Sequence, residues 1–470
     1  MTEAKEPCRT IRPTWVSVLV LGLLASTWAC SDDGTGPAGE EAVPRTGFEE
    51  RGGIGFTTHA EELTFLDAVG AGSARVTVSQ IGSSVQGRPI HLVRLGHPLP
   101  PSDEEIAVGQ AILIVGSQHG NEPAGREAAL QFLRDLAFTE DGELLQALSD
   151  ATILFIPSGN PDGRIQNTRK NAEGVDVNRD HLELVSPEAR AIARALRDLR
   201  PDLVVDAHER PKGTTPEVEL LWPRNLNVYG PVRTLSRELV EDRLLPELAA
   251  AGRSAGLYGP GAGPPGDENE AILRNAVGLR HSLGVLVESA GARPGMERVA
   301  VHLEVLRSVL RFQQDRSMEI LAAVNSAPAA KAEVGLERSE PFYLFGADND
   351  PPTPHDVLDP PPCAYRLSAE QRIALQPQIT LMPLRTEEAG GSEVLLPLDQ
   401  PLMTLIPLLA DGRARDPIVE GLPLVSDVEC AALGHPSEAP GLGPHDPSGS
   451  PVRQVPTPPV PVSMGGPPVQ

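Results

Sequence analysis

Short apolar runs alternate with longer amphipathic segments across the middle of the chain, and this alternation limits the fold more than any other feature. Four runs have the length and composition of buried strands: Ala111–Gly116, Ile153–Pro157, Leu203–Asp206 and Val285–Glu288. The segments between them carry helical patterns, as in Gly125–Ala137. Buried strands separated by helices predict an α/β fold with a mixed, mostly parallel central sheet sandwiched by helices.

Three side chains that bind metals lie where two of these predicted strands end. His119 and Glu122 form an H-x-x-E pattern after the first strand, Pro123 is suited to begin the next helix, and His208 ends the third strand. Catalytic zinc sites use three protein ligands and an open position for water. Alone, H-x-x-E also fits a helix-start histidine beside a capping glutamate, and His208 alone fits a core histidine. Together the three predict one zinc ion.

Further motifs follow in an order that resembles the zinc carboxypeptidases, the metallopeptidase family of pancreatic carboxypeptidase A. They are GSSVQGRP at 82–89, HGNE at 119–122, NPDG at 160–163, Arg169-Lys170, GVDVNR at 174–179, the strand of His208, and Glu288 in LVES. The resemblance covers rather under half of the chain. It implies the fold of that family and hydrolysis of C-terminal peptide bonds.

The resemblance also implies roles for single residues. His119, Glu122 and His208 correspond to the zinc ligands, and Glu288 corresponds to the general base that takes a proton from the attacking water. Arg169 corresponds to the catalytic cation that stabilises the oxyanion of the tetrahedral intermediate.

Three residues of the GVDVNR motif complete the implied site. Asn178 and Arg179 correspond to the residues that bind the terminal carboxylate of the substrate, for which a guanidinium has the matching geometry. Asp176 corresponds to the carboxylate that orients the first zinc histidine from the second shell of the site. The alternative for each of these side chains, as for Arg169, is a surface ion pair or a turn cap.

The chain departs from the family pattern in two places. Many members place a substrate-capping tyrosine shortly before the general base, where this chain has GAGPPGDEN at 261–269, and Tyr258 is out of register. Glu209 and Arg210 follow His208, in place of the small or hydroxyl residues of digestive members. The residue that covers the substrate is therefore unassigned, and the shape of the pocket is open.

The segment 257–280 is expected to form part of the specificity pocket. Arg274, Asn275 and Arg280 within it either supply further anion contacts or lie on a solvated helix face. Three acidic residues of the segment favour a basic substrate side chain; they are Asp267, Glu268 and Glu270.

The N-terminus has the pattern of an export signal. Basic residues precede an apolar run from Trp15 to Ala29, and Cys30 then opens a polar, acidic stretch. The run is shorter than the roughly 20 residues that a spanning helix needs. We expect a lipoprotein peptide over 1–30 and a chain held in the periplasm or cell envelope by a lipid on Cys30. Plain secretion, an uncleaved anchor and a buried first helix are the alternatives.

Composition divides the rest of the chain. The 48 Pro and 45 Gly gather toward the two ends. Of 4 Cys, only Cys363 and Cys430 lie beyond the signal, and outside a reducing cytosol they are either disulfide partners or two unpaired thiols. The predicted parts are a linker (31–54), a zinc carboxypeptidase domain (55–327), a small β-rich C-terminal domain (328–433) and a Pro/Gly-rich disordered tail (434–470).

Charge and motif content limit the partners. With 64 acidic against 40 basic residues the chain has a formal net charge of −24, which argues against a nucleic-acid partner. Peptides or peptidoglycan peptides are the expected substrates, and the oligomeric state is open.

Two other functions are alternatives to the carboxypeptidase. A zinc deacylase of N-acyl amino acids, resembling succinylglutamate desuccinylase and aspartoacylase, shares the H-x-x-E…H plan, but NPDG with GVDVNR favours the peptidase. A non-catalytic envelope binding protein is disfavoured because no ligand or base is missing.

Overall fold

The computed structural model describes residues 43–210, 213–259 and 268–433. The predicted export signal with Cys30, the first part of the predicted linker and the predicted tail lie outside these ranges. Among the described residues, no helix combines the length and apolar character needed to cross a membrane.

An eight-stranded mixed sheet forms the centre of the main body. Its strands are β1 (Val76–Ser83), β2 (Pro89–Leu95), β3 (Ala111–Val115), β4 (Thr152–Ile156), β5 (Leu203–Arg210), β6 (Val218–Leu221), β7 (Ala255–Leu257) and β8 (Leu283–Ala290). They are ordered β1-β2-β4-β3-β5-β8-β6-β7. The central strands β4, β3, β5 and β8 run parallel, whereas β1, β2 and β6 pair antiparallel with their inner neighbours. The predicted mixed, mostly parallel sheet and its four buried strands are confirmed.

Helices cover both faces of this sheet. They are α1 (Gly47–Glu50), α2 (His59–Gly72), α3 (Asp103–Val108), α4 (Ala124–Ala137), α5 (Gly142–Asp150), α6 (Pro161–Gln166), α7 (Pro187–Leu199), α8 (Gly230–Glu238), α9 (Leu245–Ala250), α10 (Leu273–Leu279), α11 (Gly295–Asp315) and α12 (Ser317–Glu337). A π-helix (Leu239–Leu244) joins α8 to α9, and Val177–Arg179 form a 3-10 turn. Because helices cover the sheet, every residue of β3 is buried, which explains why its sequence is apolar without alternation.

The folded body begins earlier than the sequence indicated. Residues 43–54 were expected to belong to a linker, but Thr46 and Glu49 form a capping box that starts α1, and Phe48 is buried. Phe48 also stacks on Phe56, with ring centroids 5.0 Å apart. The linker prediction is therefore wrong for these residues.

A fully buried ion pair connects this N-terminal segment to α4. The Arg126 side chain is 0% exposed and donates from Nη1 to Glu62 Oε2 at 2.6 Å. The same guanidinium donates to the carbonyl of Thr57, and Ser158 Oγ donates to Glu62 Oε2 at 2.8 Å. Segments far apart in sequence thus contact one cation, Arg126, which belongs to the helix that follows the predicted zinc ligands.

The C-terminal region, residues 339–433, carries two smaller sheets, one of two strands and one of four. Its strands are β9 (Phe342–Tyr343), β10 (Val357–Leu358), β11 (Ala364–Leu367), β12 (Glu387–Gly390), β13 (Glu393–Pro397) and β14 (Leu422–Leu424), and its helices are α13 (Ala369–Ala374), α14 (Gln376–Leu381), α15 (Ile406–Ala410) and α16 (Asp427–Ala432). Strands β12, β13, β11 and β14 form one antiparallel sheet in that order, so the predicted small β-rich part is present.

Two further features settle how this region is built. The predicted domain boundary between residues 327 and 328 falls inside α12, so the chain enters the C-terminal region only after that helix ends at Glu337. Of the two states left open for Cys363 and Cys430, the structure has the disulfide. The bond ties the start of β11 to α16 near the end of the described chain.

We predict that Arg126→Ala lowers the free energy of unfolding by about 3–5 kcal/mol, because Glu62 would remain as an uncompensated buried charge. Urea denaturation followed by circular dichroism measures the loss. Arg197→Ala is the control, since Arg197 pairs with the neighbouring Asp198 at the surface and its removal should cost less than about 1 kcal/mol. Equal losses in the two variants would contradict the role given to the buried pair.

Candidate metal centre

The turn after β3 brings the first two predicted ligands to the carboxyl edge of the sheet. The turn packs so closely against the NPDG motif that a Cβ on Gly120 would lie 1.9 Å from the carbonyl carbon of Gly163. Asn160 stabilises this arrangement, since its Oδ1 accepts from Gly163 N at 2.8 Å and its Nδ2 donates to Gln118 O at 3.2 Å. The HGNE and NPDG motifs are therefore two sides of one packed corner, and only glycine fits at Gly120.

His119, Glu122 and His208 converge at this edge. His119 Nδ1 lies 3.0 Å from Glu122 Oε1, and His208 Nδ1 lies 2.8 Å from Glu122 Oε2. All three residues are buried, and their ligand atoms lie within 4.8 Å of one another. Two imidazole nitrogens and a carboxylate are a donor set that suits zinc and leave further positions open. The three predicted ligands are thus brought together, and the donors fit the predicted ion.

Electrostatics keep the carboxylate of this trio ionised. Burial opposes ionisation of Glu122, but hydrogen bonds and charge from His119 and His208 outweigh burial and lower the pKa of its carboxyl well below the usual range. An anionic Glu122 between two imidazoles is the state that a metal ligand requires.

Both histidines are oriented from behind by a carboxylate. His119 Nε2 lies 3.0 Å from Asp176 Oδ1, which places Asp176 in the position predicted for it. His208 Nε2 lies 2.6 Å from Asp206 Oδ1. With each Nδ1 directed at the metal position, each Nε2–H donates to its carboxylate, and this fixes the tautomer and the ring plane.

Asp206 was missed by the sequence analysis, although a signal for it was present. Side chains two residues apart on a strand point to the same face, so an acidic residue two positions before a ligand histidine lies behind it. Asp206 is 0% exposed within an otherwise apolar run, which is costly for a carboxylate unless it has partners. Gln118 Nε2 donates to its Oδ1 at 2.6 Å and Asn178 Nδ2 donates to its Oδ2 at 3.1 Å.

Asn178 and Arg179, predicted to bind the substrate carboxylate, lie in different surroundings. Asn178 is buried; its Nδ2 lies 2.7 Å from His208 Nε2, and its Oδ1 accepts from Leu273 N at 2.8 Å. Because Nδ2 and the protonated Nε2 are both donors, the amide acts through Asp206, whose Oδ2 accepts from Nδ2 at 3.1 Å, and so holds the carboxylate that orients His208. The Arg179 side chain is exposed and donates from Nη1 to the backbone carbonyl of Asn178 at 2.7 Å, which leaves most of its donors directed outward.

Glu288, the predicted general base, lies beside the metal ligands because of strand register. Strands β5 and β8 run parallel with His208 paired to Glu288. The pKa of Glu288 is raised to about 8: burial is the largest cause, Glu122 and Asp206 act in the same direction, and His208 and Arg169 act against it. A bound dication would act in the lowering direction, toward the ionised form that a base needs.

Arg169 lies at the mouth of the site, as predicted for an oxyanion-stabilising cation. Its Nε donates to Asp176 Oδ2 at 2.9 Å, and its Nη1 lies 3.5 Å from Glu122 Oε1. The side chain is 41% exposed, so the Arg169 side chain is accessible to solvent beside the metal ligands.

Tyr258 lies in the same charged environment despite its offset in sequence. Burial raises the pKa of its hydroxyl, the charge of Glu288 raises it further, and the charges of Arg274, Arg179 and Arg169 lower it. Tyr258 precedes a segment outside the described residues. A tyrosine therefore lies within electrostatic reach of the general base.

The residues after His208 do not crowd the ligand. Glu209 points to the opposite face of β5, where its Oε1 accepts from Ala124 N at 2.6 Å and stabilises the start of α4. Arg210 Nε pairs with Glu219 Oε2 on the neighbouring β6 at 2.9 Å. Glu209 and Arg210, the two residues for which the sequence left the pocket shape open, thus each have a partner in the structure.

The acidic residues expected to favour basic substrates carry less net negative charge than their number suggested. Glu268 forms an ion pair with Arg415 of the C-terminal region. Burial raises the pKa of Glu270 to about 7, with Arg415 lowering it and Glu268 and Asp416 raising it. Asp267 lies outside the described residues. The structural basis for a basic preference is accordingly weaker than the sequence indicated.

A His-Glu-His metal site with a buried glutamate beside it, at the carboxyl edge of a mixed α/β sheet, defines a mononuclear metallohydrolase centre. Residues 63–199 match the family model described as zinc carboxypeptidase. The family resemblance inferred from the motifs is confirmed for this region, and the donor set and the family match agree on zinc.

Individual relatives cover a limited part of their own length. The chain is 31% identical over 233 residues to the probable carboxypeptidase 2 of Trichophyton verrucosum, which covers 44% of each chain. It is 35% identical over 125 residues to carboxypeptidase E of Caenorhabditis elegans, or 23% of this chain and 26% of that one. The chain thus spans less than half the length of these relatives.

Two bacterial structures are similar over slightly more than half of this chain. A metallo-carboxypeptidase from Burkholderia cenocepacia has a TM-score of 0.45 at 20% identity, covering 55% of this chain and 69% of that chain. A metallo-carboxypeptidase from Pseudomonas aeruginosa, solved in complex with (2-guanidinoethylmercapto)succinic acid, has a TM-score of 0.45 at 25% identity, covering 56% and 69%.

We predict that Asp206→Asn weakens zinc binding about 10–100-fold, because the amide cannot accept from His208 Nε2 as a carboxylate does. Competition with a chromophoric chelator measures the dissociation constant. Asp202→Asn is the matched control: Asp202 lies just before β5, is equally buried, and accepts from Ala111 N at 2.8 Å, away from the metal ligands. An unchanged zinc affinity in Asp206→Asn would refute the orienting role.

Proposed function

We propose that this chain is a zinc-dependent metallocarboxypeptidase that hydrolyses the C-terminal peptide bond of its substrates. The observation that carries the proposal is the register of β5 and β8, which sets Glu288 beside His208 of the metal trio. The match of residues 63–199 to the zinc carboxypeptidase family supports the same activity.

Each residue of the site has its own role in the proposed reaction. Zinc, when bound by the trio, polarises the scissile carbonyl and acidifies the attacking water. Glu288 takes a proton from that water and later delivers it to the leaving amine, for which its buried position beside the ligands is suited. Arg169, anchored by Asp176, presents its guanidinium where the oxyanion develops.

Recognition of a free C-terminus is assigned to Arg179. The Arg179 side chain is exposed, and among the described residues its Nη1 donates to the carbonyl of Asn178. The remaining donors form the fork that matches a carboxylate. A hydrolase restricted to the last residue of a peptide needs such a contact, and an N-acyl amino acid would also satisfy it.

We predict that Glu288→Gln lowers kcat about 10²–10⁴-fold while zinc content stays at that of the wild type, since the amide cannot accept the proton. Steady-state hydrolysis and plasma emission spectrometry measure the two quantities. Glu219→Gln is the control, because Glu219 pairs in register with Glu288 across β6 and β8 but is engaged by Arg210. Full activity in Glu288→Gln would rule out the assigned base.

We predict that Arg179→Ala raises KM for peptides with a free C-terminus about tenfold or more, since a charge-assisted hydrogen bond is lost. The wild type should discriminate strongly against the same peptides carrying a C-terminal amide, and the variant should lose much of that discrimination. Arg197→Ala, at a distant surface pair, should leave both KM values unchanged. Equal discrimination in Arg179→Ala and wild type would contradict the assignment.

End-group analysis of peptide libraries, with and without a zinc chelator, tests the reaction itself. Release of single C-terminal residues that the chelator abolishes supports the proposal. Hydrolysis of N-acyl amino acids without any peptide cleavage would replace the carboxypeptidase by a deacylase, and the absence of both activities from zinc-loaded protein would favour a binding protein.

The site of action proposed for this enzyme is the cell envelope. The basic start, the apolar run and Cys30 support export and lipid attachment, and an exported enzyme would meet peptides or peptidoglycan stem peptides as substrates. Metabolic labelling with a fatty acid tests the anchor: the label should be incorporated into wild type and lost in Cys30→Ala.

A further inference from the structure

One segment lies between the metal centre and the C-terminal region. The pocket segment, defined as residues 268–281, comprises a loop and α10 and is buried along most of its length. On the side of the metal centre, Leu273 N donates to Asn178 Oδ1 at 2.8 Å, and His181 N donates to Ala271 O at 3.2 Å. The charge of Arg274, next in sequence, acts on Tyr258 together with Glu288. The pocket segment therefore forms one wall of the substrate side of the site.

The same segment is tied to the exit of β6. Asn225 Nδ2 donates to Glu268 O at 2.8 Å, and Asn275 Oδ1 accepts from Arg224 N at 2.8 Å. Asn225 and Asn275 are both buried, so water does not compete for these hydrogen bonds.

The C-terminal region holds the opposite side of the pocket segment at both ends. Near its end, Thr404 Oγ1 donates to Leu279 O at 2.6 Å, and His281 Nε2 donates to Pro401 O at 2.7 Å. At its start, Arg415 forms an ion pair with Glu268. The Arg415 guanidinium also lies over the ring of Phe345, 5.2 Å from the centroid, which fixes the plane of the guanidinium.

The contact made by Arg415 differs from the other contacts because further carboxyl groups lie near Glu268. Glu268 and Glu270 are 5% and 2% exposed, and within the described residues one carboxylate oxygen of each, Oε2, has no hydrogen-bond partner. Arg415 and Asp416 are the further charged groups that act on Glu270. Without the guanidinium, two buried carboxyls and a nearby aspartate would repel one another, and the loop would have to open or take up protons.

We propose that the C-terminal region is part of the substrate-binding apparatus and that Arg415 is its positioning residue: by pairing with Glu268 it holds the pocket segment in the conformation that substrate requires. The proposal rests on the carboxypeptidase function proposed above. It assigns to Arg415 an effect on substrate binding and none on zinc or on proton transfer, since Arg415 touches neither the metal ligands nor Glu288 in any described contact.

Kinetics of Arg415→Ala in the full-length, zinc-loaded protein test the proposal. KM for a C-terminal peptide substrate should rise about tenfold or more, with kcat within about threefold of the wild type and zinc affinity unchanged. Arg415→Lys keeps the charge and should recover part of the loss. Arg385→Ala is the matched control, because Arg385 pairs with Glu387 at 2.7 Å in the same region without a described contact to the pocket segment.

A double-mutant cycle separates pairing from general destabilisation. In a Glu268→Gln background the buried charge that Arg415 balances is gone, so Arg415→Ala should raise KM much less than it does in the wild type. Equal effects in the two backgrounds would overturn the proposal, and so would an unchanged KM in Arg415→Ala or a fall in kcat accompanied by zinc loss.

Hydrogen exchange distinguishes failure of this proposal from failure of the proposed function. Peptides covering residues 268–281 should exchange faster in Arg415→Ala than in Arg385→Ala. If wild type removes no C-terminal residue, the carboxypeptidase function fails, and the exchange experiment still decides whether Arg415 holds the segment. If wild type is active and exchange is unchanged, only the role of Arg415 fails.

Discussion

The parallel pairing of β5 with β8 is the constraint on which the metal centre depends. In a sheet the side chains alternate between faces, so a shift of one residue would turn either His208 or Glu288 away from the site. Both strands are buried nearly along their whole length, so a shift of one residue would move the polar side chains of Asp206 and Glu288 into a different buried environment, away from their partners. Asp206 lies two residues before His208 on the same face of β5, so strand periodicity supplies the orienting carboxylate and the β5–β8 register supplies the base.

This centre concentrates charge that is stable only in combination. Glu122, Asp206 and Glu288 are all buried; the charges of Glu122 and Asp206 raise the pKa of Glu288, and the charge of His208 lowers it. Despite burial, Asp206 and Glu122 raise the pKa of His208 well above its usual value. Protons and metal therefore compete for the same Nδ1. As pH falls the proton gains, so zinc affinity should weaken toward acid although Glu122 and Asp206, whose pKa values are lowered, remain ionised.

Features that are encoded within a few neighbouring residues could be predicted from the sequence. Features that depend on residues far apart in the chain could not. The four central strands and the HGNE, NPDG and GVDVNR motifs could be predicted because burial and tight turns leave a signature within a few residues. The start of the fold was misplaced although Thr46 and Glu49 have the spacing of a capping box. Asp206 was available from strand periodicity, whereas the pairing of Glu268 with Arg415 joins residues too far apart in sequence for any pattern to predict.

The acidic residues of the pocket segment show why charge counted from sequence misleads about specificity. Glu268 is matched by Arg415, and burial holds Glu270 near the midpoint of its titration at neutral pH, so neither offers a full free charge to a substrate. The same segment also contributes a positive charge, since Arg274, together with Arg169 and Arg179, lowers the pKa of Tyr258. The acidic residues of the segment therefore carry less negative charge than its composition implies. Specificity cannot be inferred from the net charge of a chain, because ion pairing and burial change the charge that each residue presents.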